Sequence, residues 1–216
     1  MSPTIAVIDF ETSGLPPQAG GRATEIAAVL LRDGEIVDQY QSLMRTDVWV
    51  PPFIERLTGI SNAMLAQAPP AATVMREVAD FTRGSALVAH NASFDRGFWR
   101  AEHERAGLAL DPLHEEFACT VLLARRLYPE APDCKLGTLA RYHRLPDNGR
   151  AHRALADART TAQLLLRMQA DLSQRYGAEL GPLVSEHGLL ARLQRASRTA
   201  LGRCVRDYAR QRQVAI

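Results

Sequence analysis

The apolar segments of the chain are short, and two of them lead directly into acidic residues. Residues 4–8 (TIAVI) precede Asp9 and Glu11, and residues 86–89 (ALVA) come shortly before Asp95. Short apolar, β-branched runs are typical of buried strands in an α/β sheet. Asp9 and Glu11 are two residues apart and therefore share one face of an extended segment. Because ligands of open α/β sheets bind at the carboxyl ends of strands, a site is predicted there.

A third cluster contains His152 and Asp157. On a continuous helix these two side chains would diverge by roughly 140°, at about 100° per residue. We therefore expect His152 on a loop before the helix that carries Asp157, where a histidine can act as a general base. Carboxylates that come together raise one another's pKa, and divalent cations relieve this repulsion.

Each cluster also has a simpler interpretation when it is taken singly. Asp9 and Glu11 could belong to a solvated loop, and Asp95 could be the acidic residue that a helix favours in its first turn. His152 could be a surface histidine without a role.

Turn signals and helical periodicity predict an α/β sheet of mixed direction that is covered by helices. Asp33-Gly34 is a hairpin signal between two strands, and Asn91 is a candidate helix cap. Phe94 and Phe98 are expected to pack against the sheet. The predicted strands are 4–8, 23–31, 35–44, 86–89 and 116–120, and the predicted helices are 69–83, 91–107, 121–128, 136–143 and 155–172.

Composition is that of a globular chain with one domain of ordinary size and an appendage. The 216 residues are 46% hydrophobic, and no apolar run is long enough to span a bilayer. The first residues lack the pattern of a signal peptide, which predicts a cytoplasmic protein. Three cysteines (Cys119, Cys134 and Cys204) have no metal-type spacing and are expected to be small hydrophobic residues.

Charge is unevenly distributed along the chain. Residues 1–170 carry 18 basic and 20 acidic side chains, whereas residues 171–216 carry 8 and 4. In the second part, one helical face can be apolar (Leu190, Leu193, Leu201, Val205, Tyr208) and another basic (Arg192, Arg195, Arg203, Arg206, Arg210). The first interpretation is a terminal helix that packs on its own domain. A nucleic-acid handle and a partner-binding helix are the alternatives.

Three motifs together resemble the DEDDh family of 3′–5′ exonucleases, which includes the proofreading epsilon subunit of bacterial DNA polymerase III. They are residues 9–14 (DFETSG), 90–95 (HNASFD) and 152–158 (HRALADA), and residues 57–61 (LTGIS) are similar to a connector of this family. The resemblance covers roughly residues 4–170. It implies an RNase H-like fold with a five-stranded mixed sheet and an exonuclease domain over residues 1–170. Residues 171–216 lie outside the resemblance and are predicted to be a basic helical extension.

The resemblance also assigns roles to residues. It implies that four carboxylates bind two Mg²⁺ or Mn²⁺ ions, that His152 is the general base, and that Thr12 and Leu15 lie near the terminal nucleotide. The four carboxylates are Asp9, Glu11, Asp95 and Asp157. Two positions depart from the family pattern: Ser13 replaces a common threonine, and Arg153 replaces a frequent glycine and is expected to alter contacts with substrate.

The function that follows is metal-dependent hydrolysis of the terminal phosphodiester bond at a 3′ end, with release of nucleoside 5′-monophosphates. Single-stranded or 3′-terminal nucleic acid is the expected partner, with DNA preferred, and no membrane is expected. A polymerase or another protein could bind the C-terminal extension. The alternative is a catalytically silent module that binds nucleic acid or associates with a polymerase.

Overall fold

Five strands form one mixed sheet in the computed structural model, which describes residues 4–214. The spatial order of the strands is β3-β2-β1-β4-β5. The strands are β1 (Ile5–Thr12), β2 (Ala23–Arg32), β3 (Glu35–Leu43), β4 (Ala86–Ala89) and β5 (Phe117–Cys119). The first three residues of the predicted exonuclease domain and the last two of the predicted extension lie outside the described residues.

Helices cover both faces of the sheet. The helices are α1 (Pro52–Thr58), α2 (Asn62–Gln67), α3 (Ala71–Phe81), α4 (Ala92–Arg105), α5 (Thr120–Leu127), α6 (Leu136–His143), α7 (Ala154–Leu180), α8 (His187–Leu193) and α9 (Leu201–Val214). The predicted fold class is confirmed, including the mixed sheet and the helical C-terminal region.

The central strand β1 explains why two helical layers form. Its side chains alternate: Ile5 and Val7 enter one apolar core, and Ala6, Ile8 and Phe10 enter the other. β1 pairs antiparallel with β2 and parallel with β4. A strand that is buried on both faces needs apolar residues at every position, so the two acidic residues at its end stand out.

Helix α7 is longer than the periodicity predicts. The prediction ended at residue 172, whereas the helix continues to Leu180, with a break in the helical dihedral angles at Tyr176. Leu180 is buried in the core, and Asp171 accepts a hydrogen bond from the Tyr128 hydroxyl at 2.7 Å. These tertiary contacts extend the helix beyond the part that its local pattern supports.

The C-terminal helices pack on the sheet core. All five apolar side chains of the predicted face are buried there, together with residues of β1 and α7. The division at residue 170 falls inside α7 and stays a prediction. In the part of the chain that the structure describes, no helix is long and apolar enough to cross a membrane.

Candidate metal centre

The carboxyl end of β1 brings the first two acidic residues to the middle of the sheet. Asp9 and Glu11 extend the alternation of Ile5 and Val7, so they face the layer that contains α7. Asp157 lies in the first turn of α7. The packing of α7 on β1 therefore places carboxylates of two separate motifs on the same side of the sheet.

Asp95 approaches from helix α4, which follows the short strand β4. Its side chain is 1% exposed, and its Oδ1 accepts a hydrogen bond from the Phe10 backbone N–H at 3.2 Å. This bond ties the first turn of α4 to β1 between Asp9 and Glu11. All four predicted metal-binding carboxylates therefore converge at the end of β1.

Two predictions about the start of α4 are wrong. Asn91 occupies the cap position, but it has a left-handed backbone with φ 61° and its side chain makes no cap hydrogen bond. Phe98 is fully buried as expected, whereas Phe94 is 43% exposed. Phe94 precedes Asp95, which turns toward the sheet, so the neighbouring phenyl ring remains at the surface.

His152 lies on the loop before α7, as its spacing from Asp157 predicted. The helix begins at Ala154, and His152 has a left-handed backbone with φ 60°. Its backbone N–H donates to Asp157 Oδ2 at 3.0 Å. One ligand atom from each of Glu11, His152 and Asp157 lies within 4.8 Å of the others, which is compatible with a shared metal ion.

The electrostatics of the cluster are dominated by burial and by repulsion between its carboxylates. Burial, followed by repulsion from Asp95 and Asp157, raises the pKa of Asp9 well above its usual range. Burial and the nearby Asp157 raise the pKa of Glu11 to about 8. Burial also raises the pKa of Asp157, against the opposing hydrogen bond from the His152 N–H. A bound cation would reverse these shifts because it favours the ionised forms.

Glu25 is a fifth carboxylate beside the site, fully buried, and the sequence motifs do not identify it. It lies opposite Glu11 in the pairing of β1 with β2. Arg153 Nη2 donates to Glu25 Oε1 at 2.8 Å, and the Ala154 N–H donates to Oε2 at 2.9 Å. Glu25 therefore holds the first residue of α7. The only signal in the sequence is an acidic residue inside the otherwise apolar run of β2.

Arg153, the second departure from the family pattern, forms an ion pair with Glu25. Its expected effect on substrate contacts stays a prediction. A glycine at this position, frequent in the family, could not form this ion pair.

The connector after β3 holds the loop that carries His152. Arg150 Nη2 donates to the backbone oxygens of Arg56 and Leu57 at 3.1 and 3.4 Å. Gly59 has φ 75°, and a Cβ at this residue would lie 2.5 Å from Arg150 Nη1. The left-handed backbone favours glycine at this residue, whereas the tip of the flexible Arg150 side chain could shift to make room for a Cβ.

Thr12 and Leu15, the predicted substrate contacts, lie on the segment that leaves β1. Thr12 is buried, and its Oγ1 accepts a hydrogen bond from the Gly14 N–H at 3.2 Å. Leu15 is 55% exposed. The Arg22 backbone bonds to Ser13 in both directions, so this loop is held in one conformation.

Comparison with known proteins assigns the family. Residues 6–165 match the RNase_T family, described as exonuclease. The chain belongs to the RNase_T family of exonucleases. This membership confirms the resemblance that the three motifs indicated, and it implies dependence on a divalent metal ion.

Two relatives are much longer proteins. The 3′–5′ exonuclease DinG of Bacillus subtilis (strain 168) is 36% identical over 168 residues, which are 78% of this chain and 18% of the relative. The PolC-type DNA polymerase III of the same organism is 34% identical over 172 residues, which are 80% of this chain and 12% of the relative. The chain thus spans less than a fifth of the length of either protein.

Solved structures share the fold. Exonuclease X in complex with 5′ overhanging duplex DNA has a TM-score of 0.66 and 31% identity, and the match covers 88% of this chain and 99% of that chain. The nuclease domain of 3′hExo, a DEDDh family member bound to rAMP, has a TM-score of 0.67. Its identity is 23%, with 78% of this chain and 92% of that chain covered, so it supports the fold alone.

Proposed function

We propose that the chain is a metal-dependent 3′–5′ exonuclease that hydrolyses the terminal phosphodiester bond of nucleic acid and releases nucleoside 5′-monophosphates. The observation that carries this proposal is the convergence of four carboxylates from β1, α4 and α7 beside a histidine on a loop. Arrangements of this kind hold the metal ions that phosphodiester hydrolysis uses.

The residues present fit two divalent metal ions. Asp9, Glu11, Asp95 and Asp157 offer only oxygen ligands, a set that favours Mg²⁺ or Mn²⁺ over zinc. Their raised pKa values show how strongly the folded chain resists holding these negative charges together without cations. When bound, such ions activate water as a nucleophile and neutralise charge on the leaving oxygen.

His152 is the proposed general base. An imidazole nitrogen accepts the proton of the attacking water as the oxygen of that water bonds to phosphorus. The bond from phosphorus to the leaving 3′ oxygen breaks, and that oxygen takes a proton from solvent water to become the new 3′ hydroxyl of the shortened strand. The His152 side chain is exposed, whereas its backbone is anchored to Asp157. The ring can therefore approach the substrate while the His152 backbone stays in place.

The relatives support the proposed direction and substrate. A relative named 3′–5′ exonuclease supports the direction, and the structure of exonuclease X with duplex DNA supports DNA as the substrate. Exposed Leu15 and the neighbouring Thr12 are proposed to contact the terminal nucleotide. Residues 171–216 are proposed to be a helical extension of the exonuclease domain.

Replacing Asp9 by Asn tests the centre, because the substitution keeps the shape of the side chain and removes its charge. We expect kcat on a 5′-labelled DNA strand with Mg²⁺ to fall by about 10³-fold, since metal-assisted charge stabilisation supplies several kcal/mol. EDTA should abolish wild-type cleavage. Glu35→Gln, an exposed change on β3, is the control.

Product analysis separates this function from its alternative. Stepwise shortening of a 5′-labelled strand with release of 5′-monophosphates is expected. Binding of the strand without any cleavage in Mg²⁺ or Mn²⁺ would instead support a catalytically silent module. The PolC-type relative makes a polymerase the first protein partner to test.

A further inference from the structure

An open groove runs along the outer face of α4, and the centre described above does not use it. It consists of two cavities of about 390 and 660 Å³. Both cavities are lined by Ser93 and Arg96, so they adjoin at these two residues. We call the two cavities together the α4 groove.

The α4 groove is rich in arginine. Five arginines line it, against two acidic residues, in a chain whose net charge is only +2. The arginines are Arg96, Arg100, Arg105, Arg125 and Arg195, and the acidic residues are Glu104 and Glu116.

The arginines differ in how strongly the protein already engages them. Among residues 4–214, Arg96 and Arg125 have no hydrogen-bond or ion-pair partner. Arg195 pairs with the partly exposed Glu116, and Arg105 pairs with Glu102. Two exposed guanidinium groups in one cavity thus have all their donors available to an anionic ligand.

The C-terminal segment builds one end of the groove. Buried Gln194 bonds to the free edge of β5: its Oε1 accepts from the Cys119 N–H at 2.7 Å, and its Nε2 donates to the Phe117 carbonyl at 3.2 Å. These bonds anchor the next residue, Arg195, at the groove. The family match ends at residue 165, so this arginine comes from a segment beyond it.

The part of the groove that both cavities share lies beside the metal centre. Arg96, which lines both cavities, directly follows Asp95 in the first turn of α4, and Pro17 and Gln18 line one cavity shortly after Leu15. A polymer whose end sits at the centre can therefore continue into the groove without leaving the surface.

We propose that the α4 groove binds the phosphodiester backbone of the substrate several nucleotides away from the cleaved bond, with Arg96, Arg125 and Arg195 contacting phosphates. This inference rests on the proposed function. Guanidinium groups grip phosphate oxygens with two parallel hydrogen bonds. Contacts to phosphates carry no sequence information, which suits an exonuclease that must degrade every sequence.

The test compares a long substrate with a minimal one. Arg96, Arg125 and Arg195 are changed to Gln together, and Arg203→Gln, an exposed change on α9, is the control. Activity is measured on a long single-stranded oligonucleotide and on the p-nitrophenyl ester of thymidine 5′-monophosphate, which is too short to reach the groove. Thermal melting checks that each variant is folded, and single Gln variants replace the triple variant if it is not.

The triple variant should raise KM for the long strand by about tenfold or more, as expected when hydrogen bonds to charged groups are lost. KM and kcat for the ester should not change. The slope of log binding constant against log salt concentration should become shallower by about 2, since each phosphate contact on a single strand contributes about 0.7. The Arg203→Gln control should behave as wild type.

Two results would overturn the proposal. One is an unchanged KM and salt slope for the long strand. The other is an equal loss of activity on the long strand and on the ester, which would place the effect of the substitutions at the metal centre. A wild-type protein that cleaves neither substrate would instead refute the proposed function. Direct binding of the long strand to the wild type and the triple variant would then still decide whether the groove holds nucleic acid.

Discussion

Two buried glutamates face each other across β1 and β2 and have opposite surroundings. Glu25 accepts hydrogen bonds from Arg153, Ala154 and Gln41, at 2.6–3.2 Å. Glu11 accepts no hydrogen bond among residues 4–214, and three carboxylates surround it against the single opposing charge of Arg153. A buried charge is stable only when it is paired, so Glu25 belongs to the structural frame and Glu11 to a site completed by a ligand.

The largest difference between the two should appear in catalysis. Glu11→Gln should lower kcat by about 10³-fold, because it removes a charge that we propose holds the metal ions. Glu25→Gln should lower kcat by only about tenfold, the lower end of the effect of residues that support metal ligands. Steady-state cleavage of one DNA strand in Mg²⁺ measures both. Equal losses would mean that both glutamates belong to one site.

Stability should respond in the opposite way. Glu25→Gln should lower the free energy of unfolding by about 3 kcal/mol, because it leaves the Arg153 guanidinium without its buried partner. Denaturant unfolding in EDTA measures this change. A double variant that combines Glu25→Gln with Arg153→Gln should lose less free energy of unfolding than the two single variants lose together. Additive losses would show that the two side chains do not act as a pair.

The smallest expected effect depends on pH. Burial and the neighbouring Asp157 raise the pKa of Glu11 to about 8 from a usual value of 4.5, so the folded state favours the protonated form. The metal-free protein therefore loses stability as the pH rises from 4.5 toward 8. At pH 8 in EDTA, the free energy of unfolding of Glu11→Gln should exceed that of wild type by at least about 1 kcal/mol, since one pKa unit corresponds to about 1.4 kcal/mol.

This difference should shrink toward zero at pH 4.5, where the wild-type carboxyl is largely protonated in the folded state. Excess Mg²⁺ should stabilise the wild type more than the variant, because only the wild type has the complete ligand set. A variant less stable than wild type at pH 8 would contradict the assigned surroundings of Glu11.

Much of the centre could be predicted because its residues follow strong local patterns. Asp9 and Glu11 end an apolar strand, and the five-residue spacing of His152 and Asp157 requires a loop before the helix. Other features depended on contacts between distant segments. The inward turn of Arg153 requires Glu25, which lies 128 residues earlier, and the exposure of Phe94 depends on how α4 packs on the sheet.

The sequence by itself determined the fold class, the five strands, the helices α3 to α7 and the residues that converge at the end of β1. Alternation, turn chemistry and motif spacing are local properties, and they act before the chain is folded. Only the tertiary structure decided which buried carboxylate is paired, where α7 ends and which arginines share the α4 groove. Burial, charge pairing and cavity shape arise from segments far apart in the chain, so no local pattern encodes them.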